Sequence, residues 1–285
     1  MSEEAVQIPW GQIPHSEATM LGILHRPPRP RRLGLLILVG GPQYRVGAHR
    51  QYVHLARAAA AAGFAALRFD WRGVGDSDGV YGGLPALAED LVAAEAFLTR
   101  TLGLDGVVAW GLCEGASAIL LHAPRMTHLA GAVLANPWLG DGPLEARARL
   151  VHYYGRRFLS ADFWRRLIAG AVRLGEAWRE SRATLSEAGR PGAASGDLAS
   201  AMAAGLAALP HPALYLASEH DLVRQACDSY LANHPAWRPP MTAGRLRRVA
   251  IPGADHVFAS EAWRQAVAGA TVGYLEEVAR AMPSG

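Results

Sequence analysis

The chain contains no lysine. All 28 of its basic residues are arginine, which excludes an enzyme working through a lysine Schiff base. It has only two cysteines, Cys113 and Cys227, too few for a disulfide framework. No Cys or His pair carries zinc-site spacing, so no metal and no other cofactor is expected. Long apolar runs are missing as well. The longest, about Leu33 to Gly41, falls far short of the roughly 20 residues of a membrane span. The opening Met1-Ser2-Glu3-Glu4 is acidic and lacks the basic and apolar regions of a signal peptide. These absences predict a soluble, cytoplasmic protein. A net charge of +3 over 285 residues is too small to point to nucleic acid as a partner.

What is present is a chain 51% hydrophobic whose strand and helix patterns alternate from Leu33 onward. That alternation predicts an α/β fold with a mostly parallel central sheet and helices on both faces. Leu33 to Val39 is continuously apolar, as in a strand covered on both sides. Further strands are expected at Phe64 to Phe69, Val107 to Trp110, Gly131 to Ala135, Ala213 to Ala217 and Leu246 to Ile251. Helices are expected at residues 50–62, 85–101, from Glu114 to just before Pro124, and at 260–280. Leu87, Leu91, Ala94 and Leu98 keep helical spacing in the second of these. The first 32 residues are expected to add one or two antiparallel edge strands.

Residues 139–209 interrupt the alternation. Trp164, Leu167, Ile168, Ala171, Leu174 and Trp178 repeat every 3.6 residues, and residues 189–196 form a breaker-rich loop. The pattern predicts a helical lid inserted at 139–209 into a core made of residues 1–138 and 210–285. Between residues 139 and 190 ten arginines face six acids, a surplus of four, so the remainder of the chain is about one charge negative. Such a segment suits an acyl carrier protein or a coenzyme A phosphate. A solvated helix face is the competing reading.

The chemistry centres on Gly111-Leu112-Cys113-Glu114-Gly115. A buried strand, a sharp turn and a helix start surround it, the setting of a nucleophile elbow with sulfur in the nucleophile's place. The small residues at 111 and 115 let strand and helix approach, and the helix N-terminus favours a thiolate. Asp221 follows the strand at 213–217, and His256 follows the strand ending at Ile251. The order nucleophile, acid, histidine places Cys113, Asp221 and His256 on loops after strands, where an open α/β sheet gathers its ligands. Glu219 and Asp255 are neighbouring alternatives for the acid. An acyl-cysteine intermediate requires an oxyanion hole. The N–H of Glu114 is one donor. The other comes from the loop Gly40-Gly41-Pro42-Gln43; Pro42 has no N–H, which leaves Gly41 or Gln43, with Gly41 favoured. The Glu114 carboxylate either crowds the thiol or points to solvent. Gln43, Trp138 and Tyr154 are candidate substrate-binding residues.

Asp70-Trp71-Arg72-Gly73-Val74-Gly75-Asp76-Ser77 forms a D-x-R-G-x-G-x-S loop after the strand ending at Phe69. With this loop, the elbow, Asp221 and His256, residues 20 to 280 resemble the α/β-hydrolase superfamily. The stretch Val39 to Arg50, together with Gly111-Leu112-Cys113, Asn136-Pro137-Trp138 and Ala254-Asp255-His256, resembles the exosortase-A-associated hydrolase type 1 family. The cysteine elbow also resembles that of dienelactone hydrolase, although the Arg72-Gly73 loop and the insertion differ from that compact enzyme. The resemblance implies an α/β-hydrolase fold and cleavage of a small acyl ester or thioester through a covalent acyl-cysteine. Two alternatives stay open: an acyltransferase that passes the acyl group from a carrier or coenzyme A thioester to an alcohol or amine, and an inactive hydrolase-fold binding protein.

Overall fold

The computed structural model describes residues 1–9, 19–41, 43–139 and 195–282, without the side chains of 195–197. Its strands are β1 (Ser2–Pro9), β2 (Thr19–Arg26), β3 (Leu33–Leu38), β4 (Ala66–Phe69), β5 (Gly106–Leu112), β6 (Leu129–Ala135), β7 (Ala213–Ser218) and β8 (Leu246–Ile251). They form one sheet in the order β1-β2-β4-β3-β5-β6-β7-β8. β1 pairs antiparallel with β2, and β2 with β4; every other neighbouring pair is parallel. The expected mostly parallel α/β sheet is the fold observed, and the first 32 residues supply both antiparallel edge strands.

The helices are α1 (Gln51–Ala61), α2 (Ala88–Leu102), α3 (Glu114–His122), α4 (Ser195–Ala208), α5 (Leu222–Asn233), α6 (Arg238–Thr242) and α7 (Glu261–Ala281). α1 packs on α7, and α2 on α3. Every residue of β3 and β5 is buried, as central strands covered on both faces must be. β8 closes the sheet differently. It is largely exposed, and its Arg247 and Arg248 pair with Glu277 and Asp228, which charges an otherwise open edge. Among the described residues no helix is long and apolar enough to cross a membrane.

Two compact units result: residues 1–139 with 199–285, and residues 140–198. Residues 199–208, assigned to the insertion on sequence, fall in the first unit. There Ala199, Met202 and Leu206 are fully buried, and Gly205 lies so close to the Leu120 carbonyl that no Cβ fits. The alanine-rich stretch has too weak a period to mark this packing in advance. The expected helices between 140 and 194 lie outside the described residues.

One topological feature positions everything that follows. From β3 the chain steps to β4 on one side, then crosses to β5 on the other. The strand order therefore reverses between β3 and β5, and the crevice outside the carboxyl ends at such a reversal is the usual ligand position in these sheets.

Candidate active site

Cys113 stands at that crevice, between the end of β5 and the first residue of α3, with φ 54° and ψ −117°. Few non-glycine residues hold this conformation unless their surroundings fix it. Here the Cys113 N–H donates to the Ala135 carbonyl at 2.9 Å, and its own carbonyl accepts the Ala116 and Ser117 N–H groups at 3.1 and 3.2 Å. Ser117 Oγ donates to the same carbonyl at 3.2 Å and also to the Trp138 carbonyl. The two glycines are demanded by backbone on either side. A Cβ on Gly111 would run into Gly115, and one on Gly115 would stand 2.8 and 3.0 Å from the Leu38 and Val39 carbonyl oxygens.

The acid and the histidine arrive from the next loops along. His256 Nδ1 lies 2.8 Å from Asp221 Oδ2, and Asp221 Oδ1 accepts the Val223 N–H at 3.0 Å, capping α5. The neighbouring carboxylates are engaged elsewhere. Glu219 accepts the Gly253 N–H at 2.7 Å, and Asp255 accepts those of Val257 and Ala259 at 3.1 and 3.0 Å. His220 is exposed. The His256 ring also hydrogen-bonds with Cys113. Burial pulls the ring's pKa down, but the Asp221 hydrogen bond and the Cys113 sulfur outweigh it, and the value stands raised to about 10. The sulfur, the ring and the carboxylate are thus gathered at one place from three different strand ends. Cys227, by contrast, is buried in α5.

The loop after β3 lies against the elbow. A Cβ on Gly40 would meet the Leu112 carbonyl and come within 3.5 Å of Cys113 Cβ. Gly41 has φ 57°. The Gln43 N–H donates to the Gly41 carbonyl at 2.8 Å and is thereby used inside the turn, while the Gly41 N–H has no hydrogen-bond partner among the described residues. The N–H of Glu114 belongs to the first turn of α3, which has no preceding carbonyl of its own helix to bond. The Glu114 carboxylate leans towards this loop: a Cβ on Gly41 would be 2.7 Å from its Oε2.

Several supporting residues were not among the sequence candidates. Tyr52 is fully buried, edge-on to Trp110 at 5.8 Å. Its hydroxyl accepts the Gly40 N–H and donates to Gln43 Oε1 at 3.3 Å, so the Gln43 side chain is held by Tyr52. Burial pushes the Tyr52 pKa up. Asp70 anchors the same loop from below. It accepts the Arg45 N–H at 2.6 Å and pairs with the Arg45 guanidinium, which also reaches Asp76 at 2.8 Å. Asn136, just after β6, is completely buried beside Ser218. Tyr44-Arg45 and Asn136-Pro137 stood in the sequence, but nothing in their spacing indicated what they hold. Trp138 is buried against the elbow, its N–H 3.5 Å from the Cys113 carbonyl. Tyr154 and the arginine-rich segment lie outside the described residues. Among the described residues, no three His, Cys, Asp or Glu side chains gather as a metal site.

Residues 35–270 match the profile of the alpha/beta hydrolase family. Solved structures with the same fold include an esterase from Pyrococcus furiosus, 13% identical over 97% of this chain and 91% of that one, with a TM-score of 0.67. An esterase from Rhizomucor miehei is 18% identical over 98% of this chain and 84% of that one, with a TM-score of 0.64. A proline iminopeptidase from Mycobacterium smegmatis is 16% identical over 98% and 99%, with a TM-score of 0.59. No curated protein matches the sequence.

Proposed function

Because the chain belongs to the alpha/beta hydrolase family, we propose that it cleaves a small acyl ester or thioester, with Cys113 as nucleophile, His256 as base and Asp221 as the acid that orients it. One observation carries the reading: a single imidazole that meets Asp221 through Nδ1 at 2.8 Å and also bonds the Cys113 sulfur. With Nδ1 engaged, Nε2 is the nitrogen left to exchange a proton with sulfur.

The His256 ring, raised to about 10, holds the proton that the thiol gives up, and sulfur attacks the acyl carbon as the thiolate. The carbonyl electrons move to oxygen, where the N–H groups of Gly41 and Glu114 receive the charge. Collapse expels the alkoxide or thiolate, which leaves with the proton from His256, and Cys113 carries the acyl group as a thioester. Water then gives a proton to His256 and attacks the thioester; the second collapse releases the acid and leaves the thiolate beside the protonated ring. Trp138, Gln43 and Tyr154 are proposed to line the acyl side. The arginine surplus at 139–190 suits a substrate delivered on an acyl carrier protein or coenzyme A.

Intact-protein mass spectrometry after mixing with butyryl-coenzyme A or p-nitrophenyl butyrate tests this. A single acyl adduct is expected on the wild type and none on Cys113→Ala. Unchanged turnover in Cys113→Ala would sink the mechanism, and absence of both adduct and turnover would favour a binding protein. Free butyrate as product marks hydrolysis. Butyryl transfer to an added alcohol or amine marks the acyltransferase instead.

A further inference from the structure

We infer that Asn136 is a positioning residue for His256, an inference that rests on the catalytic reading above. Asn136 follows β6 with φ 42° and is completely buried. Its side chain is fully engaged. Nδ2 donates to Ser218 Oγ at 2.7 Å and to the main-chain carbonyl of His256 at 3.1 Å, and Oδ1 accepts the Ser218 N–H at 2.9 Å. Ser218 Oγ in turn donates to the Asp255 carbonyl at 2.8 Å. One amide therefore grips the end of β7, three residues before Asp221, and both it and the serine it holds reach the peptide units on either side of the His256 Cα.

The orientation of the amide follows from its partners. Turned over, it would set oxygen against the His256 carbonyl and nitrogen against the Ser218 N–H, losing both bonds, and Ser218 Oγ could keep the third only by giving up the Asp255 carbonyl. A tie between β6 and β7 alone is already made by the Asn136 N–H to the Leu216 carbonyl at 3.1 Å and by the Oδ1 bond to Ser218. The bonds to the carbonyls of residues 255 and 256 add nothing to that tie. They fix the plane from which the imidazole swings. The ring must satisfy Asp221 and Cys113 at once, so a small rotation of that plane breaks one of the two contacts. The left-handed backbone at 136 is also tolerated best by asparagine or glycine, and asparagine alone brings the amide.

Asn136→Gly keeps the backbone conformation and deletes the clamp. Ser218→Ala removes the arm to Asp255 and the Oγ that accepts from Asn136 Nδ2, keeps the bonds of the amide to the Ser218 N–H and the His256 carbonyl, and provides a milder variant. Both are followed by thermal unfolding, by steady-state turnover of p-nitrophenyl butyrate, and by NMR titration of the His256 ring, assigned with His256→Gln. In Asn136→Gly a 10- to 100-fold fall in kcat is expected, with KM within about twofold and the His256 pKa lower by at least one unit. Ser218→Ala should fall between this variant and the wild type. A variant that merely loosened the fold would lower the melting temperature without moving the titration of the ring. Folded Asn136→Gly or Ser218→Ala protein with wild-type kcat and wild-type His256 titration would overturn the inference. If Cys113→Ala turned over as fast as wild type, the catalytic reading would fail instead. The ring titration reads the clamp in that case too, since it does not depend on turnover.

Discussion

Replacing Asp221 with asparagine keeps the side chain's shape and removes the charge that His256 Nδ1 meets at 2.8 Å. His256 stands at about 10 against an ordinary 6.5. That difference of about 3.5 units, at about 1.4 kcal/mol each, favours the protonated ring by about 5 kcal/mol. Burial, the largest single influence, acts against this, and the Asp221 hydrogen bond is the first of the contacts that overcome it. Without the carboxylate, burial is opposed by Cys113 alone, and the ring should titrate about two units lower or more. The loss of activity should exceed what that shift alone implies. An amide can present a donor to Nδ1 where an acceptor is needed, and the ring then turns or holds the wrong tautomer. A fall of about 1000-fold in kcat, or about 4 kcal/mol in the barrier, is expected, with KM little changed. The assay is p-nitrophenyl butyrate turnover from pH 5 to 10 for both proteins, with NMR titration of His256. If Asp221→Asn kept kcat within tenfold of wild type, or left the His256 titration in place, the argument from this contact would be wrong.

Cys113→Ser should be nearly inactive, because removing the sulfur lowers the titration of His256 and an alcohol gives up its proton far less readily than a thiol; turnover at the wild-type rate would contradict this. Tyr52→Phe leaves the Gly40 N–H without the hydroxyl that accepts it, and should destabilise by about 1–2 kcal/mol and lower kcat more than it changes KM, as steady-state kinetics will read. Gly115→Ala sets a methyl 2.8 Å from the Leu38 oxygen and should cost about 1–3 kcal/mol in chemical denaturation. Gly273→Ala meets nothing within 4 Å inside α7 and should stabilise by about 0.5–1 kcal/mol. Stability should peak near pH 6.5. The raised His256 contributes fully below 6.5 and loses its contribution as pH rises through about 10. His25 is buried, with Arg68 Nε donating to its Nε2 at 2.9 Å, and is lowered to about 4, chiefly by burial. The unfolded chain therefore takes up its proton first as pH falls below 6.5, costing up to about 3 kcal/mol by pH 4. Urea titrations across this range check both limbs, and His25→Gln should flatten the acid one.

The central strands were legible because they are short apolar runs, and β8 was placed at Leu246–Ile251 although it carries Arg247 and Arg248. The positions of Cys113, Asp221 and His256 were legible from their places after strands: Cys113 directly follows β5, Asp221 lies three residues past the end of β7, and His256 five past the end of β8. What carries those residues was not. Asn136 and Ser218 are 82 residues apart, and Arg45 and Asp70 are 25 apart; no local period links either pair. The choice of Asp221 over Glu219 and Asp255 rested on its place after the strand at 213–217 alone, since a shift of one or two residues in a turn decides which carboxylate faces the ring. Residues 199–208 carry little hydrophobic period to read, because an alanine-rich helix packs through its small size, as Gly205 does against Leu120.

The elbow itself does not select sulfur. Gly111 and Gly115 answer to backbone contacts with each other and with β3, and the φ of 54° at 113 would serve a serine equally well. Selection lies in the ring opposite. Asp221 and Cys113 together raise the imidazole, and a protonated ring suits a thiol, whose proton leaves several units earlier than that of an alcohol. The Asn136–Ser218 clamp and the Asp221 contact meet on that one ring from opposite sides, one through its backbone and one through Nδ1. On the proposed mechanism the atom at 113 and the charge on His256 are matched to each other, and changing either alone should leave the elbow intact and abolish turnover.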